Sequence, residues 1–298
     1  MPGNSSPALV VVAAGGLGTR VHPWARFIPK EFYPVDGRPG ITLLLEEIAV
    51  LGPARVVIVH HPYYEQFAAW ARQVLSPGDH ARYCAGAGTA VPAAVPPGMT
   101  VTLIPQRGPY GDLTSVLNGA SKLGAAGGVH VAFADNLYPG PAPLPRLRDA
   151  RPGDVAVLAS RYRRALAPSR GILITRPGGE GEPRRVLALA EKPGPAEAIA
   201  LEDAHGTGNL LMLEGRARLT AAFLAFARAR QDAGAGSEPR LALAISDWAR
   251  DHPVWAVPGD GEVIDLGAPQ PLPRPAPREA GGYGLPAMAP GPGTRSGR

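Results

Sequence analysis

A chain of 298 residues, 45% hydrophobic and 18% charged, has the composition of a globular core and excludes a disordered chain. Its formal charge of +5 invites a nucleic-acid partner, but Arg274, Arg278, Arg295 and Arg298 against Glu279 put most of that excess between Ala268 and Arg298, and no basic run with interleaved aromatics marks the remainder, so nucleic acid is not expected. The single cysteine, Cys84, allows no intrachain disulfide and no zinc-ligand spacing.

In chain order, "ALVVVAA" reads as a buried strand. It is too short for a signal segment or a membrane span and follows no basic region, so a cytoplasmic protein with no membrane partner is expected. "ITLLLEEIAVLG" reads as a helix stopped by Gly52 and Pro53, "RVVIVH" as a second strand and "YEQFAAWARQVL" as a helix. "MTVTLI" is a third strand, "LTSVLNGASKLG" a helix and "VHVAFA" a fourth strand. Fully apolar strands alternating with helices predict an α/β fold with a doubly wound, mostly parallel sheet. From Asp154 the pattern changes: "VAVLAS", "GILIT", "VLALAEK" and "GNLLML" predict a small antiparallel sub-sheet. Helices are expected at Arg216 to Gln231 and near Leu241 to Asp251, followed by strands "VWAV" and "EVIDLG". Residues 1–267 thus form one domain, with a first part at about 8–150 and a second at about 151–267. Proline at every second position from Pro269 to Pro277 predicts a disordered or polyproline-like tail over 268–298.

The first strand runs into "AAGGLGTRVHPWARFIPKEFYP", Ala13 to Pro34. In a doubly wound sheet ligands bind at the carboxyl ends of strands. A glycine loop there exposes backbone N–H groups as a nest for phosphate oxygens, to which Arg20 and Lys30 add charge. Neither the dinucleotide fingerprint nor the P-loop ending is present, and glycines after a strand also make ordinary tight turns. Lysine itself is scarce: among 30 basic residues only Lys30, Lys122 and Lys192 are lysines, so each is either a chance survivor or a place where a compact ammonium is needed.

"AAGGLGTR" followed by "PKEFYP", with Lys30 ten residues after Arg20, resembles the signature of the sugar-1-phosphate nucleotidylyltransferases, in particular bacterial glucose-1-phosphate uridylyltransferases and thymidylyltransferases. The resemblance covers roughly residues 8 to 267 and implies a Rossmann-like nucleotidyltransferase fold, with nucleotide bound by the first part and sugar phosphate by the second. It implies that Ala14, Gly15, Gly16, Gly18 and Thr19 wrap the nucleotide phosphates while Arg20 and Lys30 stabilise the transferring phosphorus. "PQRGPYGD" resembles the base-reading loop, with Gln106 and the backbone of Gly111 at the base. "FADNLYPG" and "VIDLGAP" resemble the two metal motifs, giving Asp135 and Asp265 as Mg²⁺ ligands and Asp135 a catalytic role. "AEKPG" resembles the sugar-phosphate motif, with Glu191 on sugar hydroxyls and Lys192 on the phosphate; Gly171 and, in "GTGNLLML", Gly208 would line the sugar pocket. Without the resemblance, Gln106 reads as a surface glutamine, Asp135 as a turn or capping aspartate, and Glu191–Lys192 as a solvated pair before a proline turn.

The reaction so implied is in-line attack of a sugar 1-phosphate on the α-phosphorus of a nucleoside triphosphate, UTP first, with dTTP, GTP or ATP as alternatives. A nucleotide-sugar glycosyltransferase and a silent nucleotide-sugar-binding relative are the competing readings. Two departures bear on the sugar. Arg170-Gly171 stands where relatives commonly carry Tyr-Gly, with Arg170 either meeting a carboxylate or another anion or, the reading slightly favoured, pointing to solvent, and the stretch around Asn209 is unlike the glucose-specific members. An uncommon sugar phosphate is therefore a live alternative. The proline-rich tail replaces a helical segment that often builds oligomers, so a homo-oligomer stays an open question.

Overall fold

The computed structural model describes residues 6–21, 24–179, 181–233, 238–259 and 262–268. Apart from Ala268, the proline-rich tail lies outside the described residues.

The four apolar runs form strands β1 (Ala8–Ala14), β4 (Ala54–His60), β5 (Met99–Pro105) and β6 (Val129–Phe133). Between the first two lie the short β2 (Pro34–Val35) and β3 (Arg38–Pro39) and helix α1 (Gly40–Ala49). Helices α2 (Glu65–Val74) and α3 (Pro77–Ala87) precede β5, and α4 (Asp112–Leu123) precedes β6. The second part adds β7 (Asn136–Leu137), α5 (Leu144–Asp149), β8 (Val155–Arg161), β9 (Gly171–Thr175), β10 (Arg184–Glu191) and α6 (Pro195–His205). It closes with β11 (Leu210–Leu219), α7 (Ala221–Ala233), α8 (Leu241–Ala249), β12 (Val254–Pro258) and β13 (Ile264–Asp265).

Strands β5, β4, β1 and β6 are adjacent and parallel. Successive residues of β1 explain why its sequence shows no polar alternation. Val11 belongs to one apolar layer with Leu113, Val116 and Phe223, while Val10 and Val12 belong to another with Ile41, Leu44 and Ile48. Both faces of the strand are covered, so both sets of side chains must be apolar.

The antiparallel strands do not form a separate sub-sheet. Through β11, which pairs antiparallel with β6, they continue one mixed nine-stranded sheet ordered β5-β4-β1-β6-β11-β8-β12-β10-β9. A register shift between Leu213 and Ala217 bends β11, so its first half also pairs with β9 and its second half with β6. The helix expected from Arg216 starts five residues later. Arg216 and Arg218 alternate with Ala217 and Leu219 along β11, and Thr220 Oγ1 accepts from Phe223 N at 3.2 Å to start α7. Arg218 explains the misreading: its guanidinium donates to four carbonyls, of Leu147, Arg148, Arg151 and Asp154, rather than to water. Among the described residues no helix is long and apolar enough to cross a membrane.

In the parallel half, Ala14 is level with His60, His60 with Pro105, and Ala13 with Phe133. The glycine loop, Gln106 and Asp135 therefore all leave the sheet at one end.

Candidate active site

Among the described residues, two adjoining cavities open at that end of the sheet. The larger, about 660 Å³, is lined by the loop from Gly15 to Arg20 together with Lys30, Gln106, Gly111 and Gly267. The smaller, about 190 Å³, is lined by Arg170, Gly171, Glu191, Glu214 and Asp265 among others. Arg20, Asp112, Phe133, Asp135 and Lys192 line both, so the two cavities meet at a charged junction.

Neighbouring side chains brace the loop. The Tyr64 hydroxyl donates to the Ala25 carbonyl at 2.5 Å and sits 3.2 Å from that of Leu17. Gly15 lies so close to Gln106 that a Cβ there would stand 2.4 Å from Oε1. Ala14, by contrast, turns its methyl into the core, and Ala13 lines the cavity in its place, so Ala14 can contribute only backbone.

Gln106 is buried, not a surface residue. Its Nε2 donates to the Pro109 carbonyl at 3.0 Å, and its Oε1 accepts from Ser115 Oγ at 2.6 Å. Because a carbonyl can only accept, Pro109 fixes which way the amide faces. One N–H and one lone pair are left for a ligand. His61 and Tyr110, missed by the sequence reading, flank this cavity with rings 5.8 Å apart.

Lys30 is buried (6% exposed) and its Nζ lies 2.6 Å from Glu31 Oε1 and 3.1 Å from Asp135 Oδ2. Burial alone would depress this ammonium, but the two carboxylates outweigh it and hold the proton more firmly than in an ordinary lysine. Burial pushes the Asp135 carboxyl up, but Lys30, together with a backbone hydrogen bond and Arg20, reverses this and keeps it below the usual carboxylate range. Glu31, more deeply buried, is raised by desolvation despite Lys30.

Asp265 reaches Asp135 through a two-stranded ladder. It pairs with Asn136 in β13–β7, and Leu266 N donates to the Asp135 carbonyl at 2.7 Å. Gly267 sits where the charges converge: a Cβ on it would be 2.9 Å from Arg20 Nη2, 3.0 Å from Asp265 Oδ1 and 3.2 Å from Asp135 Oδ2. Among the described residues no group of three or more His, Cys, Asp or Glu is placed to hold a metal. Two carboxylates suit Mg²⁺, which keeps waters and takes its other oxygens from substrate phosphates.

In the smaller cavity, Glu191 ends β10 and Lys192 follows it, with Lys192 Nζ 3.7 Å from Glu191 Oε1. Lys192 adopts φ +52°, a left-handed conformation costing a non-glycine residue ~1–2 kcal/mol, and its N–H donates to the Arg170 carbonyl at 3.1 Å. Lys122, on α4, is exposed.

Arg170 does not point to solvent. Its side chain is only 18% exposed, Nη1 donates to Glu214 Oε2 at 3.4 Å, and Nη2 lies 3.6 Å from Asp265 Oδ2. Glu214 is buried and accepts from Ser160 Oγ at 2.6 Å; burial raises its carboxyl, against Ser160 and Arg170. Asp112, at the junction, is pushed up to about 6 by burial, with the N–H of Leu241 opposing. The only sequence signal for Glu214 was a charge inside an apolar strand. Gly208 is not part of this group. Its carbonyl accepts from Arg184 at 2.7 Å, ahead of the first residue of β11, and the stretch that lines the cavity is Leu213 to Ala217, where the register shifts.

No protein-family model matches the chain. It is 27% identical over 289 residues to UTP--glucose-1-phosphate uridylyltransferase of Klebsiella pneumoniae, covering 89% of each chain. It is 27% identical over 282 residues to the enzyme of the same name from Salmonella typhimurium, covering 86% of this chain and 87% of that one. A solved UDP-glucose pyrophosphorylase complexed with UDP-glucose superposes with TM-score 0.67 at 18% identity, over 88% of this chain and 94% of that one. The resemblance seen in the motifs therefore extends along most of the chain: this protein is similar to the sugar-1-phosphate nucleotidylyltransferases and shares their α/β fold with its mixed sheet.

Proposed function

We propose that the protein is an enzyme joining a sugar 1-phosphate to UTP, giving a nucleotide sugar and pyrophosphate. The observation that carries this reading is the junction of two cavities at Arg20, Asp135 and Lys192, one with a glycine loop and an oriented glutamine, the other with Glu191 and Glu214. UTP is assigned because the relatives similar along most of the chain are named for it.

An oxygen of the sugar phosphate attacks the α-phosphorus, the α–β anhydride bond breaks, and pyrophosphate leaves. The attacking monoester has its second pKa near ~6, so it is ionised at neutral pH and no general base is required. The obstacle is charge, since two polyanions must meet. The nest of N–H groups from Gly15 to Thr19 receives the triphosphate, and Arg20 and Lys30 draw negative charge toward the leaving pyrophosphate. Lys192 holds the attacking phosphate, and Glu191 orients the sugar through its hydroxyls. Asp135 and Asp265 would hold Mg²⁺, which supplies the positive charge shared by the α-phosphate and the incoming phosphate.

Arg170 and Glu214 give the sugar pocket a charged wall, which offers a strong donor and a strong acceptor to ring hydroxyls. Replacing Glu214 with Gln is expected to raise the KM for the sugar 1-phosphate about 10-fold, the loss of one charge-assisted hydrogen bond. The KM for UTP should stay within about twofold of wild type. An equal rise in both constants would remove Glu214 from the sugar pocket.

The whole reading is tested by incubating the protein with Mg²⁺, each of the five nucleoside triphosphates and a panel of sugar 1-phosphates, and measuring pyrophosphate. Release is expected with UTP, and the most productive sugar phosphate identifies the second substrate. Absence of release with every pair, in a protein that still binds nucleotide, overturns it.

A further inference from the structure

A buried arginine reaches the junction from behind. The Arg216 side chain, on β11, is 0% exposed, and each of its five N–H donors has an acceptor. Nε and one Nη2 donor bond Glu47 of α1 at 2.8 and 2.7 Å. The other Nη2 donor reaches the Asn136 carbonyl at 2.7 Å, and Nη1 reaches the carbonyls of Phe133 and Gly215 at 3.1 and 2.8 Å. The Tyr138 ring covers the guanidinium at 4.7 Å.

Two of those carbonyls, of Phe133 and Asn136, bracket Ala134-Asp135. One rigid planar group therefore fixes both ends of the turn that presents the Asp135 carboxylate. Gly215 adds to the fit, because a Cβ there would stand 2.3 Å from Asn136 Oδ1. On the other side, Ala134 N donates to the Ala13 carbonyl at 3.0 Å. A buried ion pair is weak evidence for stability, since desolvating both charges offsets most of the attraction and apolar residues of similar size would serve as well. What apolar residues could not supply is a fork of donors with fixed angles.

We propose that Arg216, oriented by Glu47, is a positioning residue for Asp135: it sets the direction in which that carboxylate meets a divalent cation. This rests on the assignment of Asp135 as a metal ligand. The test is Arg216→Lys, which keeps the charge but can no longer reach both turn carbonyls and Glu47 together. Mn²⁺ is used as the probe cation, with its binding in the presence of UTP followed by electron paramagnetic resonance. Amide exchange at Ala134 and Leu266 is followed in metal-free protein.

The folded variant is expected to bind Mn²⁺ about 10- to 100-fold more weakly, the usual cost of losing a group that orients a ligand. Its kcat should fall alongside, amide exchange at 134 should quicken, and the KM for the sugar 1-phosphate should not change. A folded variant with Mn²⁺ affinity and exchange within twofold of wild type overturns the proposal, as does a loss of melting temperature alone. If Arg216→Lys does not fold, Glu47→Gln, which loosens the guanidinium without removing it, should shift Mn²⁺ affinity severalfold in the same direction; no shift again overturns it. Wild-type protein that binds Mn²⁺ but makes no nucleotide sugar would sink the proposed reaction while leaving the positioning role standing.

Discussion

Replacing Asp135 with Asn is expected to lower the rate of metal-dependent pyrophosphate release by about 10³-fold without destabilising the protein, an effect at the upper end of what one charged contact in a transition state contributes. The shape of the side chain is kept, and the turn that carries it is held by main-chain bonds that do not involve the carboxylate, including Leu266 N to the Asp135 carbonyl. Lys30 loses one of two carboxylate partners but keeps Glu31 at 2.6 Å, so no buried charge is left unpaired. Because Lys30 holds the Asp135 carboxyl below its ordinary range, the group is anionic throughout neutral pH, and Asn removes a full charge. Unfolding in urea and metal-free nucleotide binding should match wild type within error. Retention of more than about a tenth of the activity would remove Asp135 from the mechanism.

The parts of this molecule that were legible in the sequence are those where local pattern and tertiary role coincide. Strands β1, β4, β5 and β6 are buried on both faces, so their runs of Val, Ile and Ala are continuous, and their length separates them from helices. Arg20, Lys30, Asp135, Lys192 and Asp265 were found by motif resemblance, and the structure brings all five to the two cavities, with Arg20, Asp135 and Lys192 shared by both. What was not legible depends on who faces whom across the fold. Arg216 and Arg218 look like the solvent face of a helix until their acceptors are known, and those include carbonyls 67 to 83 residues away in the chain and, for Arg216, the Glu47 carboxylate 169 residues away. For Arg170 the sequence leaves solvent and a carboxylate partner both open, with solvent slightly favoured, because nothing local announces Glu214, which reaches it across the sheet. Gly208 is assigned to the sugar pocket by motif resemblance, whereas the stretch of β11 that lines the cavity, Leu213 to Ala217, is where the register shifts, and such a bulge leaves no periodic trace in the sequence.

Replacing Lys30 with Met is expected to be costly in both stability and rate, and the two losses are separable. Lys30 and Glu31 side chains are 7% and 2% exposed, so removing the ammonium leaves Glu31 buried with no cation, at a cost of about 3 kcal/mol. Glu31 then escapes by taking a proton. Its carboxyl is already raised by burial, and losing Lys30 raises it further. A carboxyl whose folded-state pKa lies above its unfolded value contributes stability that is complete below the unfolded pKa and is lost as pH rises through the folded one. The deficit of Lys30→Met relative to wild type should therefore be small at pH 5 and grow toward pH 8, as read from urea midpoints at the two pH values. Adding Glu31→Gln should restore most of the stability at pH 8, because a neutral amide replaces the stranded carboxylate. It should not restore pyrophosphate release, which falls about 10²- to 10³-fold when a cation facing the leaving group is removed. A Lys30→Met protein whose stability deficit is the same at both pH values would show that Glu31 does not depend on Lys30 for its burial. A Lys30→Met/Glu31→Gln protein with wild-type turnover would show that Lys30 serves the fold alone.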